Sequence, residues 1–149
     1  MKPLTIRIVA FLTLTLCAAS VYAADIEIKM LDKSETEGIL AFEPSFVKAN
    51  VNDTLVFIPA NKGHNSRSLL VPAEAQPWKS EFDKEFRITL TKEGIYLYTC
   101  DYHLKMGMVG VVQVGNAVNL DEARKQASEE SAKMAINKNR FAKALDQVE

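Results

Sequence analysis

The chain has 149 residues, with 18 basic and 19 acidic side chains and a formal net charge of −1 at pH 7. Such a balance lacks the basic excess that marks a nucleic-acid binder, and no nucleic acid is expected as a partner. The length suits one domain with a sizeable core.

The first segment is not expected to belong to that domain. Lys2 and Arg7 precede an apolar run, Ile8 to Leu16, that is too short to span a bilayer, and Val21-Tyr22-Ala23 is a small-residue cleavage pattern. Residues 1–23 therefore read as a secretory signal peptide. A lipid anchor on Cys17 is disfavoured because Leu16 stands where a lipobox wants a small residue, so no membrane anchor is expected. The mature chain, 24–149, keeps 16 basic and 19 acidic side chains and one cysteine, Cys100. A single cysteine in an oxidising compartment cannot form an internal bridge, and it is a liability unless buried or held by a metal.

Along the mature chain, Ile26, Ile28 and Met30 alternate with Asp25, Glu27 and Lys29, the pattern of a half-buried strand. Extended segments follow at 40–42 and 46–49, around Glu43-Pro44. After a turn at 50–53, Thr54 to Ile58 is a β-branched and aromatic run that suits a central strand. The stretch from Ser68 to Lys84, with Pro72, Pro77 and the lone Trp78, is the least regular and is expected to be a long connection with at most one helical turn. Strands are predicted again at 86–90, 95–99 and 108–114. Their density argues for an all-β Greek-key sandwich over 24–115.

Beyond Gly115 the pattern turns helical. Asn119 and Glu122 resemble a capping box, with Leu120, Ala123 and Ala127 at helical spacing. Ser128 is placed as the cap of a second helix carrying Met134, Phe141, Leu145 and Val148 on one side. This extension, 116–149, is expected to pack on the sandwich.

The chemistry-bearing residues are concentrated. Cys100 and His103 lie in the run Cys100-Asp101-Tyr102-His103-Leu104-Lys105-Met106-Gly107-Met108, and the only other histidine, His64, sits in Gly63-His64-Asn65 after the predicted central strand. Two imidazoles and a thiolate with a weak thioether, from Met106 or Met108, are the donors of a blue-copper centre. Sulfur suits the cuprous ion and imidazole suits either state, so neither is strongly disfavoured. Zinc would want a fourth strong ligand or an open position with a nearby base. Asp101 is the one acid at hand, and its place at the strand-to-loop corner should turn it away. No oxyanion hole or substrate cleft accompanies the Cys-His pair, which argues against a hydrolase. A copper-delivery protein is the remaining rival.

These motifs resemble the cupredoxin family, and within it the pseudoazurin group. The resemblance runs through Met30-Leu31, Phe42-Glu43-Pro44, Asn52-Asp53-Thr54, Phe57-Ile58-Pro59, Lys62-Gly63-His64-Asn65, the Cys100 to Met108 loop, the strand to Gly115 and two tail helices. It implies a β-sandwich with two C-terminal α-helices and a periplasmic, monomeric one-electron carrier with one copper, serving a redox partner such as a nitrite reductase or a cytochrome. The metal ligands it implies are His64, Cys100, His103 and Met108. In this family the ligand methionine is followed, one residue on, by glycine and a β-branched run, as Met108 is and Met106 is not. Met106, Asn65 and Tyr102 are expected to touch the ligands rather than the metal, Asn65 by an N–H bond to the sulfur and a side chain tying the two loops. Two departures stand out. Tyr102 replaces the usual proline and restores an N–H expected to bond the sulfur and raise the potential. Leu104-Lys105 replaces an aromatic residue and glycine, which with Lys62 makes a basic rim for docking around His103.

Overall fold

A computed structural model describes residues 23–149. The expected signal peptide, with Cys17, lies outside the described residues except for Ala23. Eight strands form two four-stranded sheets. The first contains β1 (Asp25–Ser34), β2 (Gly38–Glu43), β4 (Thr54–Pro59) and β6 (Phe86–Thr89), in the order β2-β1-β4-β6. The second contains β3 (Phe46–Ala49), β5 (Arg67–Leu70), β7 (Gly94–Thr99) and β8 (Val109–Val114), in the order β3-β8-β7-β5. β1 runs parallel to β4, with Ile28 opposite Phe57, and β3 runs parallel to β8. The other pairings are antiparallel.

Alternation decides which faces meet. Ile28 and Met30 of β1, Phe42 of β2 and Leu55 and Phe57 of β4 face Tyr96, Tyr98, Val112 and Val114 of the second sheet. Tyr98 stands edge-on to Phe42 and Phe57, with ring centroids 4.8 and 5.2 Å away. Its ring occupies the place where Gly110 has no side chain: a Cβ there would lie 2.2 Å from Tyr98 Cζ. Only glycine allows β7 and β8 to pair with that ring between them.

Every residue of β7 and β8 is buried. Their inner side chains fill the sandwich, while the outer ones, Ile95, Leu97, Val109 and Val111, lie under Ala123, Ala127, Phe141, Ala144 and Leu145 of the C-terminal helices. Those helices are α1 (Leu120–Ala132) and α2 (Arg140–Leu145). A strand covered on both faces has no solvated side, which is why 108–114 reads as a nearly continuous apolar run.

Three sequence expectations are corrected. The connection from Ser68 to Lys84 begins inside a strand, since β5 pairs antiparallel to β7; a register shift between Ser68 and Leu70 breaks its alternation. Asn119 precedes α1 but its side chain makes no cap hydrogen bond. Its Oδ1 accepts from the Ile95 N–H (2.6 Å) and its Nδ2 donates to the Ile95 carbonyl (3.0 Å), serving an edge that β5, ending at Leu70, leaves open. Ser128 lies inside α1 rather than before α2, which starts at Arg140.

Candidate metal centre

The site lies at the end of the sandwich where β4 and β7 give way to loops. Gly63 takes a φ of 87°, the left-handed region that favours glycine, and sets the corner into His64. Asp83 Oδ1 accepts from the N–H of Gly63 (2.5 Å) and of His64 (3.3 Å), and the Asp83 N–H donates to the His64 carbonyl at 2.9 Å. The backbone of His64 is thus held from a second loop. The His64 ring is fully buried, with Nε2 3.0 Å from Asp32 Oδ1. The carboxylate fixes the ring's rotation and, by accepting an Nε2–H, leaves the lone pair on Nδ1. That Nδ1 is buried and has no hydrogen-bond partner among the described residues.

Cys100 directly follows β7 and is fully buried. From there the chain turns back sharply. The His103 N–H donates to the Cys100 carbonyl (3.2 Å), one 3-10 turn forms at Leu104–Met106, and the N–H groups of Met106 and Met108 both donate to the His103 carbonyl at 3.0 Å. The Cys100 N–H then donates to the Met108 carbonyl at 3.2 Å, closing the loop where β8 begins. The sequence-predicted residues His64, Cys100 and His103 are brought together, one ligand atom from each lying within 4.8 Å of the others. His103 Nδ1 is 3.5 Å from Cys100 Sγ, and the two imidazole centroids are 5.0 Å apart. Met108 is fully buried in the same apolar cluster as Cys100, whereas Met106 is only partly buried on the 3-10 turn.

Electrostatics keep the His103 imidazole available. Burial, and then the neighbouring His64, push the His103 ring below its ordinary pKa, with Asp32 opposing them. A neutral imidazole is the form that binds metal. Asp101 points away from the cluster, as its corner position suggested. Its carboxylate accepts from Asn65 Nδ2 (2.9 Å) and Arg67 Nε (2.5 Å), with Lys79 Nζ at 3.0 Å. Burial pushes Asp101 up, but these three partners more than offset it, and its pKa falls below the ordinary carboxylate value.

Asn65, buried between the loops, takes the Asp101 N–H on Oδ1 (2.9 Å) and donates Nδ2 to Asp101 Oδ2 and to the Ser80 carbonyl (3.3 Å). Its side chain ties the His64 loop to the Cys100 loop, as expected. The sulfur's own hydrogen-bond contacts are Gly63 O at 3.9 Å and His103 Nδ1, and the N–H groups of Asn65 and Tyr102 are not among them. Tyr102 presents its ring to solvent, 70% exposed, stacked on Phe82 at 4.3 Å. Lys62 and Lys105 are exposed.

Sequence reasoning missed Asp32 and Asp83. The signal for Asp32 was its parity: it follows Ile28 and Met30 at alternate positions of β1, which turns its carboxylate to the side of the strand where His64 lies, although the side chain itself is exposed. Asp83, a turn residue in an irregular connection, carried no comparable signal.

Residues 28–115 match the family of copper binding proteins described as the plastocyanin/azurin family. The chain belongs to this cupredoxin family. Among curated relatives, the pseudoazurin of Paracoccus pantotrophus is 41% identical over 110 residues, covering 72% of this chain and 75% of that one. A putative pseudoazurin of Rhizobium leguminosarum bv. viciae is 39% identical over 117 residues, 76% of each chain. The native pseudoazurin of Hyphomicrobium denitrificans superposes with a TM-score of 0.75 at 34% identity, covering 84% of this chain and 98% of that one. The protein is therefore a cupredoxin of pseudoazurin type, an electron carrier with one copper and not an enzyme. The donor set fits that ion: two imidazoles, a thiol and an unpartnered buried Nδ1 whose desolvation a metal bond would offset.

Proposed function

We propose that the protein is an exported, periplasmic, monomeric carrier in which His64, Cys100, His103 and Met108 hold the copper, serving a redox protein partner such as a nitrite reductase. The observation that carries this reading is the convergence of His64, Cys100 and His103, with His64 Nδ1 buried and unpartnered. Bound copper would supply one-electron chemistry, with no bond made or broken in a substrate.

The protein's contribution is to hold the ligands still and dry. Asp32 fixes the His64 ring, Asp83 fixes its backbone, and Asn65 locks the two loops. Cys100, His64 and Met108 are fully buried, which excludes water and disfavours a delivery role in which the metal itself leaves. Met108, fully buried in the same cluster as Cys100 and with its backbone bonded to both His103 and Cys100, would supply the thioether. His103 is the one ligand with an exposed edge and is the route for the electron, framed by the Tyr102–Phe82 pair and by Lys62 and Lys105. Residues 1–23 act as the export signal, residues 24–115 form the sandwich and 116–149 pack on it as part of the same domain. Among the described residues no helix is long and apolar enough to cross a membrane.

The test is stopped-flow oxidation of the reduced copper-loaded protein by a copper nitrite reductase. Rapid transfer that slows as salt rises, and slows further in a Lys62→Glu, Lys105→Glu variant, is the expected outcome. A salt-independent rate, unchanged in that variant, removes the basic rim from the docking surface. Replacing each methionine in turn tests the ligand: control of the visible spectrum by Met106 rather than Met108 reverses the assignment.

A further inference from the structure

The six-residue span from His103 to Met108 does not satisfy its own carbonyls. Within the loop, Gly107 N–H donates to the Leu104 carbonyl, and Met106 and Met108 donate to that of His103. The Met108 carbonyl is taken by Cys100 N–H and Thr99 Oγ1. Three consecutive carbonyls are left over, those of Lys105, Met106 and Gly107, and all three are served by the C-terminal extension. Ala135 N–H donates to Lys105 O at 2.7 Å, Asn137 Nδ2 to Met106 O at 2.9 Å, and Arg140 Nη1 to Gly107 O at 2.5 Å.

The fit is close as well as complete. A Cβ on Gly107, whose φ is 76°, would lie 2.6 Å from Asn137 Cβ and 3.0 Å from the Ile136 carbonyl, so the glycine lets the two backbones meet. The break between α1 and α2 falls at this contact, with Asn137 held at a φ of 54°. Arg140 is buried and also donates to the carbonyls of Leu40, Glu37 and Ile39, so the segment is braced against the first sheet as well. A segment needed only to cover β7 and β8 could do so with one continuous helix. This one interrupts its helix to bind the loop that carries the metal ligands.

We propose that residues 135–140 are a positioning element of the metal centre, setting the separation of His103 and Met108 and through it the bond from copper to the thioether. The inference rests on the assignment of Met108 as a ligand made above. Axial-ligand geometry tunes blue-copper sites, so the effect should be visible in the spectrum and not only in stability.

The experiment uses the full mature chain and Asn137→Gly, which removes the amide while tolerating the left-handed backbone, with Asn137→Asp as a second variant that turns the donor into an acceptor. In the metal-free protein, amide hydrogen exchange of residues 106–108 should rise about fivefold for one lost hydrogen bond of ~1 kcal/mol, while amides of the first sheet that exchange by local opening keep their rates. In the copper-loaded oxidised protein, the balance of the two visible thiolate-to-copper bands and the reduction potential should both move, further in Asn137→Asp. Unchanged exchange overturns the inference. So does faster exchange with a wild-type spectrum and potential, or exchange that rises equally at those distant amides. A wild-type protein with no intense visible band is a different failure, that of the copper reading itself.

Discussion

Replacing Asn65 by alanine removes the side chain that joins the two ligand loops, and its cost follows from the structure. Three hydrogen bonds disappear: the Asp101 N–H to Oδ1, and those from Nδ2 to the Asp101 carboxylate and the Ser80 carbonyl. The two between neutral groups contribute about 0.5–1.5 kcal/mol each, and the one to the carboxylate about 1.5–3 kcal/mol. Asn65 is fully buried, so water does not replace these partners without opening the structure. The expected loss is therefore about 4 kcal/mol, a large part of the ~5–15 kcal/mol that stabilises a domain. Urea unfolding of the metal-free protein measures it without a contribution from ligand binding. With an m-value of about 2 kcal/mol/M, the midpoint should fall by roughly 2 M. A loss below about 1 kcal/mol, with an unchanged m-value, would refute the claim that Asn65 is the tie between the loops.

Three further outcomes are expected. Gly110→Ala should cost about 3 kcal/mol or more in thermal or urea unfolding, because the new Cβ meets the packed ring of Tyr98 rather than the end of a flexible chain; a neutral substitution would contradict the packing. Asp32→Asn should raise the reduction potential, since the negative charge beside the His64 ring favours the cupric state. The Asp32 side chain is 63% exposed and its charge is screened, so the shift should be at most about 1 kcal/mol, roughly 40 mV for one electron; a lowered potential, read by voltammetry, contradicts it. The depressed carboxyl of Asp101 stabilises the fold above its unfolded value near pH ~4, and that contribution is lost as pH falls through the lower folded value. The stability gap between wild type and Asp101→Asn should accordingly be full at pH 6 and shrink below pH ~4, and a gap independent of pH down to 2 would contradict it.

The parts of the molecule legible in the sequence are those governed by local pattern. Ile28 and Met30 alternate with charged residues and lie at the sheet interface, and Cys100, His103 and Met108 sit on one loop because two paired strands must be joined there. What the pattern hid depends on partners far along the chain. β5 is short and shifted in register, so Arg67 to Leu70 shows no clean alternation. Asn119 has the composition of a helix cap, but the edge left open at Ile95 competes for its amide and wins. Nothing in the local spacing marks Arg140, and only the folded chain shows it buried and bonded to four carbonyls. Asp32 and His64 are 32 residues apart, a pairing no local spacing encodes.

The central claim is that His64, Cys100, His103 and Met108 form a blue-copper centre that carries one electron. Its most direct test is the visible absorption spectrum of the mature protein loaded with one equivalent of cupric ion and then titrated with ascorbate. The account predicts an intense thiolate-to-copper band that bleaches with one electron, returns on reoxidation and is absent in Cys100→Ser. A colourless cupric complex, or a band that survives loss of Cys100, would contradict it.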